Sequence, residues 1–332
     1  MLSRAMRRDG GPMRRVVGVV AAGLGAFLLV SGLLLRFYVA GHVVKFPLNE
    51  YRVTTLAGTG VTYFSPSLLK DVTGATIRVT RTIEGDVASG TASRAVWTQF
   101  SYSFDVAHGV AYQARTQRSA FDRRTGALIA CCGETAGSYT GPQSGLAFTW
   151  PIGTKQQSYQ IFDTTLLKPL EVQFDGQATT DGLPTYRFVE RVPAQRFGKQ
   201  QLPSSLVGLH GQPTVTLDEY YQATNTYWVD PVTGTVVNVN ENQKITLRDS
   251  GGVQRLVLFQ GDLPMTPASV QSSVNADRNR RAGIEAITVT IPLGLGLAGV
   301  VFLAVGSWLA LWRRESGDAP AAPEYAMADT AF

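Results

Sequence analysis

The sequence predicts a mainly β protein, a twisted antiparallel sheet domain flanked by two transmembrane α-helices. Two observations carry this. Apolar stretches at Val16–Leu35 and Ile287–Trp312 are each long enough as helices to cross about 30 Å of hydrocarbon. Between them, apolar residues alternate with polar ones at period two far more often than they recur at a helical period. The expected order is a basic arm (1–15), a first span (16–38), a β domain (39–265), a juxtamembrane helix or linker (266–286), a second span (287–312) and a disordered tail (313–332).

Charge sets the expected orientation. Arg4, Arg7, Arg8, Arg14 and Arg15 precede the first span, which places that end in the cytoplasm and the β domain outside. A second span returns the tail to the cytoplasm, with Arg313 and Arg314 in agreement and Arg278, Arg280 and Arg281 on the outer flank in conflict. The alternative for the first stretch is a cleaved signal, for which Val39-Ala40-Gly41 is a weak processing site after an unusually long apolar run. The formal net charge of +5 fits a topology determinant touching anionic lipid. No zinc-ligand spacing or aromatic-interleaved basic groove accompanies it, so nucleic acid is not an expected partner.

Small residues sit at helical spacing in both spans: Gly18, Ala22 and Ala26 in the first, Gly294 and Ala298 in the second. Such faces let helices pack on each other or on a partner chain, in a homo-oligomer or against another envelope protein. Ordinary lipid-facing Gly and Ala are the alternative. Phe37, Tyr38, Trp308 and Trp312 suit the membrane interface.

Strands are expected at 75–84, 94–106, 184–192, 214–229 and 252–260, all rich in Val, Thr, Ile and aromatics and bounded by Gly, Pro or Asp. Short apolar pieces at 68–71, 164–170 and 202–209 read as loops or short helices on the sheet. Asp122-Arg123-Arg124-Thr125-Gly126 and Asp230-Pro231-Val232-Thr233-Gly234 share D-x-x-T-G after a Tyr-Gln-Ala stretch. Each reads as a tight hairpin in which Asp122 or Asp230 accepts turn amides, Pro231 presets φ and Gly126 or Gly234 takes the left-handed position. The repeat points either to two similar modules or to convergence on one turn type. Beyond the sheet, Thr266 and Pro267 form a helix-start signal, while Ser272, Ser273, Asn275 and Asn279 leave a disordered linker open.

Cys131 and Cys132 are the only cysteines and are adjacent. Outside the membrane they form a vicinal disulfide, pair with another chain, or stay as buried thiols. The sequence nominates no catalytic, cofactor-binding or metal-ligating residue: H-E-x-x-H, G-x-S-x-G and the P-loop are missing, and His42, His108 and His210 stand isolated. Glu84 with Asp86, and Asp218 with Glu219, read as solvated strand-end charges.

The two terminal spans, Lys45-Phe46-Pro47-Leu48, the Phe121–Gly126 hairpin before Cys131 and Cys132, and Trp228–Gly234 together resemble an actinobacterial two-span envelope family of unknown function described as "porin PorA family". The resemblance covers nearly the whole chain and implies a membrane-anchored domain in a Gram-positive envelope. It brings no catalytic residues. Trp228-Val229-Asp230-Pro231-Val232-Thr233-Gly234 also resembles a strand-turn of periplasmic lipoprotein carriers, whose curved sheet wraps acyl chains. The expected function is noncatalytic, the binding or shielding of envelope lipid or glycolipid. The alternative is a scaffold or sensor for another envelope protein. A pore is disfavoured because two strongly apolar helices should arrest the chain in the plasma membrane.

Overall fold

The computed structural model describes residues 11–311. Most of the basic arm, Trp312 and the tail lie outside them. The chain divides into a helical unit built from both ends and a β unit, His42–Ala286.

In the helical unit, α1 (Gly11–Leu34) continues through a π-helical turn (Leu35–Val39) into the short α2 (Ala40–Val43). Near the other end of the chain, α3 (Pro267–Glu285), a second π turn (Ala286–Thr290) and α4 (Ile291–Leu311) follow without interruption. α1 and α4 are long and apolar enough to span a membrane, and they pack antiparallel: Gly18 lies against Gly306 and Ala310, and Gly32 against Pro292. The packing corrects the expected small-residue faces. Gly18 and Ala22 are in the seam, whereas Ala26 and Gly294 are exposed and Ala298 is only half-buried. Gly18 meets Gly306, Gly25 meets Gly299 and Gly32 faces Pro292, and a Cβ on most of these glycines would strike the facing backbone. The reason is the period: a seam that stays in register over several turns repeats every seven residues, not every four. Arg36 Nη1 donates to the π-turn carbonyl of Thr288 at 2.8 Å.

The β unit is a curled antiparallel sheet. Its strands are β1 (Tyr51–Ser65), β2 (Lys70–Gly85), β3 (Arg94–Asp105), β4 (Val110–Asp122), β5 (Leu128–Ile129), β6 (Thr135–Ala136), β7 (Tyr159–Asp163), β8 (Lys168–Thr180), β9 (Leu183–Pro203), β10 (Thr214–Val229), β11 (Val236–Arg248) and β12 (Gln254–Pro264). Their order is β5-β4-β3-β2-β1-β12-β11-β10-β9-β8-β7, with β6 on β4. Two meanders, β1–β4 and β7–β12, are therefore joined edge to edge where β1 meets β12. That joint is short, pairing Thr62 with Gln260 and Tyr63 with Phe259, because register shifts between Gly58 and Tyr63 bend β1 away. Shifts of this kind recur in five further strand pairs, and each adds local twist, so the sheet curls instead of lying flat.

One segment ties the sheet's far edges. Leu128 N donates to Gly145 O, Leu146 N to Gln160 O and Phe162 N to Leu146 O, so residues 145–146 link β5 to β7. The same segment continues beneath both D-x-x-T-G turns: Ile152 N donates to Arg124 O, Trp150 N to Gly234 O and Gly153 N to Val232 O. The two turns are built alike. Gly126 N and Gly234 N return to Asp122 O and Asp230 O, and both glycines have positive φ, +68 and +74. Only glycine fits, since a Cβ would strike the carbonyls of Thr149 and Trp150.

The expected loop pieces resolve differently. Residues 68–69 and 164–167 are turns leading into β2 and β8, Leu202 lies next to the end of β9 at Pro203, and Ser204–Val207 is a single 3-10 turn. From Thr266, whose hydroxyl accepts from Ser269 N, α3 runs back along the sheet and inserts Val270 and Val274 into a cluster with Leu56, Val239, Leu263 and Met265. Its arginines face acceptors of the β unit: Arg278 bonds the Asp181 carbonyl, Arg280 bonds Glu50 at 2.9 Å and Arg281 bonds Asp230 at 3.0 Å.

Candidate functional site

The curl frames a partly open cavity of about 220 Å³ in the β unit. Strand alternation decides what lines it. In β2, Ile77, Val79 and Arg81 share the inward parity; in β9, Phe188, Glu190 and Val192; in β10, Tyr221, Asn225 and Tyr227; in β11, Glu241, Gln243 and Ile245. Apolar clusters occupy other parts of the interior: Trp150, Phe188 and Val229 in one, Tyr63 and Phe259 in another. The cavity itself is dominated by planar polar groups, with aromatic side chains from Tyr112, Phe162 and Phe259 among them.

Two charged centres organise it. Arg81 grips Glu241 through both oxygens, Nη1–Oε1 at 2.7 Å and Nη2–Oε2 at 2.6 Å. Burial opposes the Arg81 charge, but the Glu241 carboxylate outweighs it and raises the guanidinium pKa. Glu190, only 2% exposed, accepts at Oε2 from Asn225 Nδ2 at 2.8 Å and from the Tyr227 hydroxyl at 3.3 Å. Burial pushes the Glu190 carboxyl up to about 7, with the Asp163 and Glu241 charges adding to the rise. Asp163, also raised by burial, caps the β7–β8 turn through Thr165 N and Leu166 N, and Arg115 reaches Thr165 Oγ1 at 3.1 Å.

Three buried polar atoms at this centre have no protein partner: Glu190 Oε1, Asn225 Oδ1 and Arg81 Nε. A buried polar group without a partner costs about 1–3 kcal/mol, so this cavity is built to hold water or a polar ligand. No group of three or more His, Cys, Asp or Glu side chains arranged to hold a metal ion occurs among the described residues.

None of Arg81, Glu190, Asn225 or Glu241 is nominated by the sequence. The missed signal is a charge at inward parity: Arg81 is in phase with Ile77, Val79 and Ile83, and Glu190 with Phe188 and Val192. The residues that the sequence did single out have other places. Asp122 caps its turn through the amides of Arg124 and Thr125, Pro231 lies in the second turn, and Cys131 and Cys132 are joined in a disulfide beside Gly133. His108 is not isolated, since its Nδ1 lies 2.7 Å from the buried Asp105, which also accepts from Tyr63. Asp86 pairs with Arg118 at 2.7 Å and Asp218 with Arg196 at 3.3 Å.

A curled antiparallel sheet with a polar-lined cavity, carried by a chain with two apolar helices long enough to span a membrane, defines a membrane-associated β protein. Residues 17–308 match the Porin PorA family, and the chain belongs to that family. Two similar proteins are each described as "Porin PorA": one of Corynebacterium amycolatum, 27% identical over 29% of this chain and 32% of the relative, and one of Corynebacterium resistens, 25% identical over 55% of this chain and 60% of the relative. The chain thus spans less than two thirds of the length of either relative.

Proposed function

We propose that this protein is a noncatalytic envelope module that binds a lipid or glycolipid through its head, with the β unit outside the plasma membrane and both termini in the cytoplasm. The observation that carries the reading is the cavity, whose buried polar atoms await a partner. An acyl chain is a poor occupant, because it would leave Glu190, Asn225 and Arg81 desolvated and unpaired. The polar head of an envelope amphiphile meets that requirement, and the two apolar helices tether the chain to the bilayer that supplies it.

The pore implied by the relatives' description fits this chain less well. A lipid-facing barrel needs an apolar outer band, whereas ion pairs such as Arg187 with Asp175, Arg196 with Asp218 and Arg255 with Asp249 decorate this sheet. Native mass spectrometry of the detergent-solubilised chain tests the proposal. A retained amphiphile of defined mass is expected; a chain free of lipid, together with steady single-channel conductance in planar bilayers, would favour the pore.

A further inference from the structure

We infer that the cavity holds one uncharged sugar or polyol ring, read by Glu190, Asn225 and the Arg81–Glu241 pair. This rests on the head-binding reading above and names the class of head. The unmet atoms are two acceptors, Glu190 Oε1 and Asn225 Oδ1, and one donor, Arg81 Nε–H. A cation only donates and would strand the arginine. A phosphate or carboxylate only accepts and would strand, and repel, the carboxyl groups. A hydroxyl does both, so a ring bearing several hydroxyls, seated among these residues, offers partners of both kinds.

Size and shape agree. A cavity of about 220 Å³ has room for a single hydroxylated ring. Tyr112 and Phe259 stack with centroids 5.6 Å apart and both line the cavity, offering an aromatic surface to the C–H face of such a ring. The charge balance also favours a neutral guest, since Glu241 already neutralises Arg81 through both carboxylate oxygens.

The test uses the full chain in a polyoxyethylene detergent, since sugar-based detergents carry the inferred ligand. Methyl glucoside, methyl mannoside and myo-inositol are titrated against choline and inorganic phosphate, with saturation-transfer NMR and calorimetry as readouts. Saturable binding of at least one polyol is expected, weakened about tenfold by Glu190→Gln and abolished by Ser101→Phe, which fills the cavity from β3. Thermal unfolding checks that both variants remain folded. Absence of polyol binding, binding indifferent to both variants, or preference for choline or phosphate would overturn the inference. Lipid retention in native mass spectrometry is scored separately. A chain that binds free polyol but retains no amphiphile keeps the ring site and loses the lipid reading; retained amphiphile that polyols never compete away keeps the lipid reading and loses the ring site.

Discussion

At the scale of single residues, the most consequential carboxyl outside the cavity is Asp277 on α3. It is buried against Asp230 in the second hairpin turn, accepts from Thr233 Oγ1 at 2.8 Å, and burial with the facing Asp230 raises it to about 7. Arg281 bonds the facing Asp230 at 3.0 Å. Asp277 in the unfolded chain ionises near 3.8, so between that value and about pH 7 the folded state binds the extra proton. Stability therefore falls as pH rises through this window and levels off above it. Glu190, raised from 4.5 to about 7, slopes the same way. Thermal unfolding is expected to show greater stability at pH 5 than at pH 7.5, and Asp277→Asn should flatten that slope by on the order of 1 kcal/mol; an unchanged slope would remove Asp277 as its source. The adjacent cysteines make a simpler prediction: intact chain gains the mass of two hydrogens on reduction, with no change in oligomeric state on nonreducing gels.

At the scale of elements, glycines do two different jobs that mutation separates. Gly60 and Gly234 both have positive φ, but only Gly234 is pressed against the Trp150 carbonyl. Gly60→Ala should cost about 1–2 kcal/mol from the left-handed backbone alone, and Gly234→Ala clearly more, measured by denaturant unfolding. Equal costs would mean that the segment beneath the turns yields freely. In the helix pair, Gly25→Leu or Gly306→Leu should weaken α1–α4 association by about 1–2 kcal/mol, while Gly294→Leu, with open space around it, should be neutral. Thermal unfolding in detergent distinguishes them. The strand pattern shows a similar division. β10 is legible over its whole length, Thr214–Val229, because its alternation is dense in Tyr, Trp and Val. β4 and β11 are legible only where they meet the hairpin turns, because further along Arg115, Gln117, Glu241 and Gln243 point inward to the cavity and erase the apolar parity that marks a strand. The same residues that make the site hide its walls.

At the scale of the whole molecule, the antiparallel α1–α4 pair returns the chain to the side from which it starts, and the basic arm assigns that side to the cytoplasm in the proposed topology. A membrane-impermeant thiol reagent on intact cells should label Val253→Cys, an exposed position in the β unit, and spare Ser3→Cys until the membrane is opened. The reverse pattern would invert the topology. The sequence by itself determined the two spans, the hairpin turns, the helix start at Thr266 and the mainly antiparallel β class, because each is written in a local period, a capping residue or a turn residue. Only the tertiary structure decided that β12 closes on β1, that residues 145–146 join the outer edges, and that Arg81, Glu190, Asn225 and Glu241 meet in one cavity. Those contacts join strands far apart along the chain, and a local period records which face a residue takes but not which distant strand will stand opposite it.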